Sequence, residues 1–156
     1  MIQIKRAGIT DLELLLKWRM TVLREVFSNI DEKQIPELER QNRLYYQNAI
    51  PAGEHIACFA CDGGEVIGCG GVCLHSEMPS PDNPNGKCAY LMNIYVLPAC
   101  RGQKTGKKIV TWLLQKAYEA DVQKIYLESS ECGQPLYRNL GFTEMKGMMQ
   151  FPVDRY

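Results

Sequence analysis

The chain has 156 residues, 46% of them apolar and 23% charged. That is the length and balance of one globular domain spanning residues 1–156, able to bury a core without disulfide or metal staples, and it excludes an intrinsically disordered chain. Eighteen Lys and Arg balance eighteen Asp and Glu, so no whole-surface basic field for nucleic acid exists. No apolar run approaches the roughly 18 residues of a membrane span. The opening MIQIKRAGITDLE has no signal-peptide core, so a cytoplasmic location with no membrane partner is expected.

In chain order, Ile2 to Arg6 alternates as a short strand. Thr10, with Glu13 three residues later, fits a capping box, and Leu12, Leu15, Leu16, Leu23 and Val26 continue at helical spacing, predicting a helix over residues 11–27. A second helix is expected from Pro36, with Leu38, Leu44 and Tyr45 on its apolar face and Pro51 and Gly53 at its end. Residues 56–61 and 66–74 read as strands joined by the hairpin signal Asp62-Gly63-Gly64. The stretch 75–86 is rich in Pro, Asn and Ser and reads as a long loop, and residues 87–96 form an apolar strand. After a cationic loop, Ile109, Val110, Leu113, Leu114 and Ala117 mark a helix over residues 106–120. Residues 124–129 read as a buried strand. A short helix with Pro135 near its start and Gly141 past its end follows, and one or two closing strands are expected from Phe142 onward. Interleaved helices and strands define an α/β or α+β fold with a mixed sheet.

Seven cysteines are scattered without paired spacing apart from Cys58 and Cys61. Three residues apart on a strand, those two point to opposite faces, which makes them small buried hydrophobes rather than a zinc or redox pair. With two histidines and no tetrahedral ligand spacing, no metal is expected.

The informative segment is the loop from Val96 to Lys108, VLPACRGQKTGKK, between a strand and a helix. A helix N-terminus presents unpaired N–H groups and a positive dipole end. Lys107 and Lys108 sit at that end, an unfavourable placement unless an anion is bound there, and the glycines allow close backbone approach. The segment therefore reads as a phosphate or pyrophosphate cradle. It is not a Walker A loop, because only three residues separate Gly102 from Gly106 and Lys108 stands where Ser or Thr must bind magnesium. Nor does it have the spacing of a dinucleotide fingerprint.

The segment resembles the acetyl-CoA loop of the GNAT superfamily of N-acetyltransferases, a strand ending in V-x-P and then R-G-x-G-x-G/A opening a helix. Val96, Pro98, Arg101, Gly102 and Gly106 match. Downstream, Leu136, Tyr137, Gly141 and Phe142 look like that family's L-Y-x-x-x-G-F. The resemblance spans nearly the whole chain and implies a GNAT-like fold: a central mixed, mostly antiparallel twisted sheet of six to seven strands flanked by about four helices. It implies acetyl-CoA as co-substrate, with the main chain of Ile94, Tyr95 and Val96 (alongside Asn93) holding the pantetheine and acetyl group. Arg101, Gly102, Gln103, Lys104, Thr105, Gly106 and Lys107 would bind the pyrophosphate. Lys104 stands where the family has its central glycine, so its side chain either crowds the cofactor or gives its ammonium to a phosphate. Thr105 replaces an aliphatic residue. The Asn that many relatives carry after the fifth strand is absent, leaving Ser130 or Gln134 as substitutes.

The activity implied is acetyl transfer to a primary amine of a small molecule or peptide by direct attack in a ternary complex. The resemblance makes Tyr137 the general acid. Glu128, at the end of a strand where some relatives carry a catalytic Glu, is the candidate general base, ahead of His75 and Tyr90. Arg19, Arg24 and Glu25 lie at helical spacing that suits an exposed face; the resemblance puts the first helix beside the acceptor site, where they could instead read acceptor charge. The competing reading is a non-catalytic acyl-CoA-binding or sensing domain with a degenerate loop. Nucleic acid is not an expected partner, and a homodimer is one of the states that the resemblance allows.

Overall fold

Strand order follows chain order in a computed structural model that describes residues 1–153. The elements are β1 (Gln3–Ala7), α1 (Leu12–Val26), α2 (Ile35–Ala49), β2 (His55–Asp62), β3 (Glu65–Ser76), β4 (Lys87–Val96), α3 (Thr105–Glu119), β5 (Lys124–Leu127) and α4 (Gln134–Asn139). The first four strands pair antiparallel and β5 joins β4 in parallel. The parallel pair is connected through α3, as a crossover requires. No helix among the described residues is long and apolar enough to cross a membrane.

Two layers of helix cover the sheet. On one face, Ile109, Val110, Leu113 and Ala117 of α3 are fully buried against Cys58, Ala60, Val72, Ala89 and Leu91. Burying each of the larger aliphatic side chains contributes about 2 kcal/mol. On the other face, Leu15, Leu16, Trp18 and Val22 of α1 and Tyr46 of α2 pack on Ala57, Phe59, Cys61 and Tyr95. The Trp18 ring lies 6.4 Å from Phe59 and 6.2 Å from Tyr95. Cys58 and Cys61 thus fall in different layers, as strand spacing requires. Burial pushes the Cys58 thiol up to about 12, which keeps it protonated and unreactive.

The structure corrects the sequence reading in several places. Thr10 does not cap α1. A short 3-10 turn at Ile9–Asp11 precedes that helix, and the Asp11 carboxylate accepts the Gly8 N–H at 2.8 Å. Glu13 instead pairs with Arg43 of α2. On α2 the buried aromatic is Tyr46, while Tyr45 and Leu44 are exposed. The sheet has five strands among the described residues, not six or seven. Residues 143–150 form no strand: Met145, Met148 and Met149 are exposed, and Gly147 sits at φ 84°. Residues 154–156, which the closing strands would have included, lie outside the described residues.

Two irregularities in β4 shape the site. Met92 faces Gly71 and Tyr95 faces Cys69, so Gly70 alone stands opposite Asn93 and Ile94. This is a β-bulge, with Asn93 at φ 57°. The extra residue changes the phase of alternation: Ala89 and Leu91 face α3 before it, Ile94 and Val96 after it. In addition, β5 pairs with β4 only as far as Leu91 and Leu127. Beyond that point the two strands share no bridge, and the edge of residues 92–96 has no strand beside it.

Candidate active site

The loop between β4 and α3 has the form of an anion cradle. The first helical bond of α3 runs from the Lys108 N–H to the Lys104 carbonyl, so the amides of Thr105, Gly106 and Lys107 enter no helical bond. Gly102 lies at φ 82°, with nothing within 4 Å of where a Cβ would stand. The Gly106 position is closed on its other side, since a Cβ there would lie 3.2 Å from Leu136 of α4. Glycine at 106 therefore lets α4 seat against the first turn of α3. Backbone N–H groups free of helical bonding and an open approach at Gly102 fit a pyrophosphate.

The side chains of this loop divide into those that brace it and those that face water. Arg101 turns back on β4: its Nε donates to the Val96 carbonyl at 3.0 Å, and its guanidinium lies 5.6 Å from the centre of the Tyr95 ring. Thr105 is 2% exposed, and its hydroxyl has no partner among the described residues. Gln103, Lys104 and Lys107 are exposed. Lys108 donates to the Ile2 carbonyl at 3.2 Å, tying the loop to the start of the chain. Lys104 adopts the left-handed conformation, φ 63° and ψ 14°, at the cap of α3. That conformation costs a non-glycine residue about 1 kcal/mol.

Ser130 organises the entry to α4 rather than facing the loop. Its carbonyl accepts the Ser129 hydroxyl at 2.7 Å and the Gly133 and Gln134 amides, and its own hydroxyl accepts the Gly133 N–H at 3.3 Å. Gln134 accepts a bond from Arg138. Tyr137 lies on α4 with its ring 5.7 Å from Phe142, and its hydroxyl has no partner among the described residues. Burial raises its pKa, which holds the phenol protonated well beyond neutrality.

A cavity of about 460 Å³ opens on the opposite face of the sheet, between α1, α2 and the strands. Tyr90 lines it from β4, and Tyr126 pairs with Tyr90 across to β5, ring centres 5.1 Å apart. Glu128 lies two residues beyond Tyr126 and so points to the same face. Burial raises the Tyr90 pKa, and the Glu128 carboxylate beside its hydroxyl adds to the rise. The candidate base and the cavity are thus linked through Tyr90. His75 is not part of this group. Its Nε2 meets the Tyr126 hydroxyl at 3.2 Å and lies 3.7 Å from Glu77. With Glu77 and Cys88 it makes the one grouping of metal-ligand types among the described residues, but Lys124 already occupies Glu77 at 2.7 Å and Cys88 is fully buried.

His55 was not singled out in the sequence, because nothing in its neighbours marks it. It is 3% exposed, its Nδ1 meets the Tyr45 hydroxyl at 2.9 Å, and its ring lies where a Cβ on Gly71 would fall. Burial, and then the charge of Arg19, pull its pKa down to about 4. A histidine neutral when folded but protonated when unfolded removes stability as pH falls from about 6.5 towards 4. A shift of that size corresponds to about 3 kcal/mol. Denaturant unfolding at pH 7 and pH 4.5 should show most of this loss, and His55→Gln should flatten the acid limb by a similar amount.

The comparisons with known proteins bear on the family and the fold. The sequence profile described as "Acetyltransferase (GNAT) family" matches residues 20–142. The chain belongs to the GNAT acetyltransferase family. No curated protein matches it. Among solved structures, a predicted acetyltransferase from Clostridium acetobutylicum with acetyl-CoA superposes with TM-score 0.88 at 22% identity, over 100% of this chain and 99% of that one. A GCN5-related N-acetyltransferase from Ralstonia eutropha JMP134 gives 0.85 at 23% identity, over 99% of both chains. Glucosamine-6-phosphate N-acetyltransferase from Arabidopsis thaliana gives 0.68 at 18% identity, again over 99% of both chains. The fold and the family are those of acyltransferases.

Proposed function

We propose that the protein transfers the acetyl group of acetyl-CoA to the primary amine of a small molecule, by direct attack in a ternary complex within one domain. The observation that carries this reading is the juxtaposition of three features at one end of the sheet. These are the free amides at the start of α3, the bulged and unpaired edge of β4, and the acceptor-sized cavity on the other side of that edge. The amides of residues 102–107 hold the pyrophosphate, and the main chain of residues 94–96 holds the pantetheine arm as an added strand would be held. Oriented amides suit both tasks because they need no reorganisation during the reaction.

Glu128, directly or through one water, takes the proton from the ammonium so that its lone pair is free. The amine nitrogen then attacks the acetyl carbonyl, forming the C–N bond and placing negative charge on oxygen near the bulge at Asn93 and Ile94. Collapse breaks the C–S bond, Tyr137 gives its phenolic proton to the departing thiolate, and the attacking nitrogen loses its second proton through solvent to the Tyr137 phenolate, leaving a neutral amide. The C. acetobutylicum structure with acetyl-CoA and the acetylated amino sugar named for the A. thaliana enzyme support the choice of donor and of acceptor class.

Calorimetric titration with acetyl-CoA tests the donor. Micromolar binding is expected, and no binding at millimolar concentration would leave the loop without a ligand of this kind. Lys104→Gly separates the two roles of that residue. Relief of the left-handed backbone should raise stability, while loss of an exposed ammonium beside the phosphates should weaken acetyl-CoA binding by up to about 5-fold. Tighter binding by the variant would instead make Lys104 an obstruction. Acetyl-CoA binding without release of free thiol across a broad amine panel would favour a sensing domain.

A further inference from the structure

The sequence placed Arg19 on an exposed face of α1. It is half-buried instead, and it reaches from α1 across the cavity to the sheet. Its Nη1 donates to Asn93 Oδ1 at 3.1 Å and its Nε to Asn42 Oδ1 at 3.1 Å. Both acceptors are neutral amide oxygens. Among the described residues no carboxylate lies within ion-pair distance of Arg19. The other arginines among the described residues are either paired with a carboxylate, as Arg40, Arg43 and Arg138 are, or exposed to water, as Arg6, Arg24 and Arg101 are. A guanidinium has five N–H donors in a planar fork suited to a carboxylate, and two suffice for the two amides. The charge of Arg19 is felt inside the cavity, where it helps to hold His55 neutral. Among the described residues no Asp or Glu lines that cavity, and its other walls include Tyr45, Tyr46 and Met92.

We propose that Arg19, held by Asn42 and Asn93, reads a carboxylate on the acceptor, so that the substrate is a small amino acid-like amine rather than a polycationic or uncharged one. This rests on the acetyl-transfer reading above and names its acceptor class. Arg19 is bonded to the bulge residue itself, so the carboxylate sits close to the reacting amine, as it does in an α- or β-amino acid. One guanidinium and no lysine in the cavity suit a monoanion better than a phosphate. Tyr45, Tyr46 and Met92 give an apolar side chain a surface to lie on.

The experiment compares acceptors matched in everything but charge: an apolar amino acid, its primary amide, the amine lacking the carboxyl group, and an amino sugar phosphate, each with acetyl-CoA and read by thiol release. The wild type should favour the amino acid over its amide by between about 10- and 100-fold in kcat/KM. Arg19→Ala should remove that preference while leaving acetyl-CoA binding unchanged, and Arg19→Lys should restore part of it. Equal use of acid and amide by the wild type overturns the proposal, as does a preference for the sugar phosphate. It is also overturned if Arg19→Ala slows both acceptors equally. Calorimetric binding of amino acid against amide, without acetyl-CoA, separates the two levels. A carboxylate preference there that Arg19→Ala abolishes sustains this site even if no acetyl transfer is found, and its absence overturns the site even if transfer is found.

Discussion

Tyr137→Phe is expected to lower kcat by about 100-fold or more while leaving the affinity for acetyl-CoA unchanged. General acids contribute of that order when the leaving group must be protonated. The substitution removes one oxygen and keeps the ring that packs edge-on to Phe142 at 5.7 Å, so folding should be intact. The hydroxyl has no protein partner among the described residues, which means that its removal strands no buried group. Because burial raises the Tyr137 pKa, the wild-type acid form persists, and kcat should not decline on the alkaline side up to about pH 9. Steady-state kinetics across pH 6–9 checks both statements. A variant retaining half the wild-type kcat would remove Tyr137 from the mechanism.

Gly70→Ala should be a strongly destabilising change despite adding a single methyl group. A Cβ at this position would lie 2.5 Å from Ile109 Cγ2 and 3.1 Å from Leu113 Cδ1. Both side chains are fully buried in the layer beneath α3 and cannot swing into solvent. Overpacking of this kind costs about 2–3 kcal/mol, or about 5–10 °C in Tm for a chain of this length. Gly70 also stands alone opposite the two bulge residues. A displaced α3 would therefore shift the edge of β4 and the amides at its own N-terminus together, and acetyl-CoA binding should weaken alongside stability. Thermal melts and calorimetry on the same preparation test the pairing of the two effects.

The sequence is legible where the structure is local. The apolar spacing of α3 names the residues that are fully buried, and alternation places Cys58 and Cys61 in separate layers. The glycine and cation pattern of residues 101–108 marks the helix start whose amides are free of helical bonds. It is illegible where the determinant is tertiary. The one local sign of the bulge is Asn93 itself, a polar residue tolerant of positive φ in a strand that is otherwise apolar from Cys88 and holds neither Gly nor Pro. Arg19 shares the spacing of exposed residues, and only its two amide partners, 23 and 74 positions away, show that it turns inward. Arg101 matches the loop pattern and Ser130 stands in for an absent Asn, and spacing does not show that their hydrogen bonds brace the backbone around the loop and the start of α4. The closing strands differ for another reason: Met145, Met149, Phe151 and Val153 alternate in the sequence as a half-buried strand would, yet all four side chains are exposed.

The bulge in β4 divides that strand into two segments counted in opposite phase, odd residues facing α3 up to Leu91 and even residues from Ile94. Asn93 is the spacer between them. Its identity matters, since Asn tolerates φ 57° and its Oδ1 holds Arg19, but its presence matters more, because removing one residue would bring the second segment back into the phase of the first. Ile94 and Val96 would then turn towards α1, and Tyr95 would leave Trp18 for the layer beneath α3. The strand therefore tolerates changes of letter at this point far better than a change of length. A substitution at 93 alters what Arg19 holds, whereas a deletion there exchanges the two sides of the sheet along the whole edge that borders the loop.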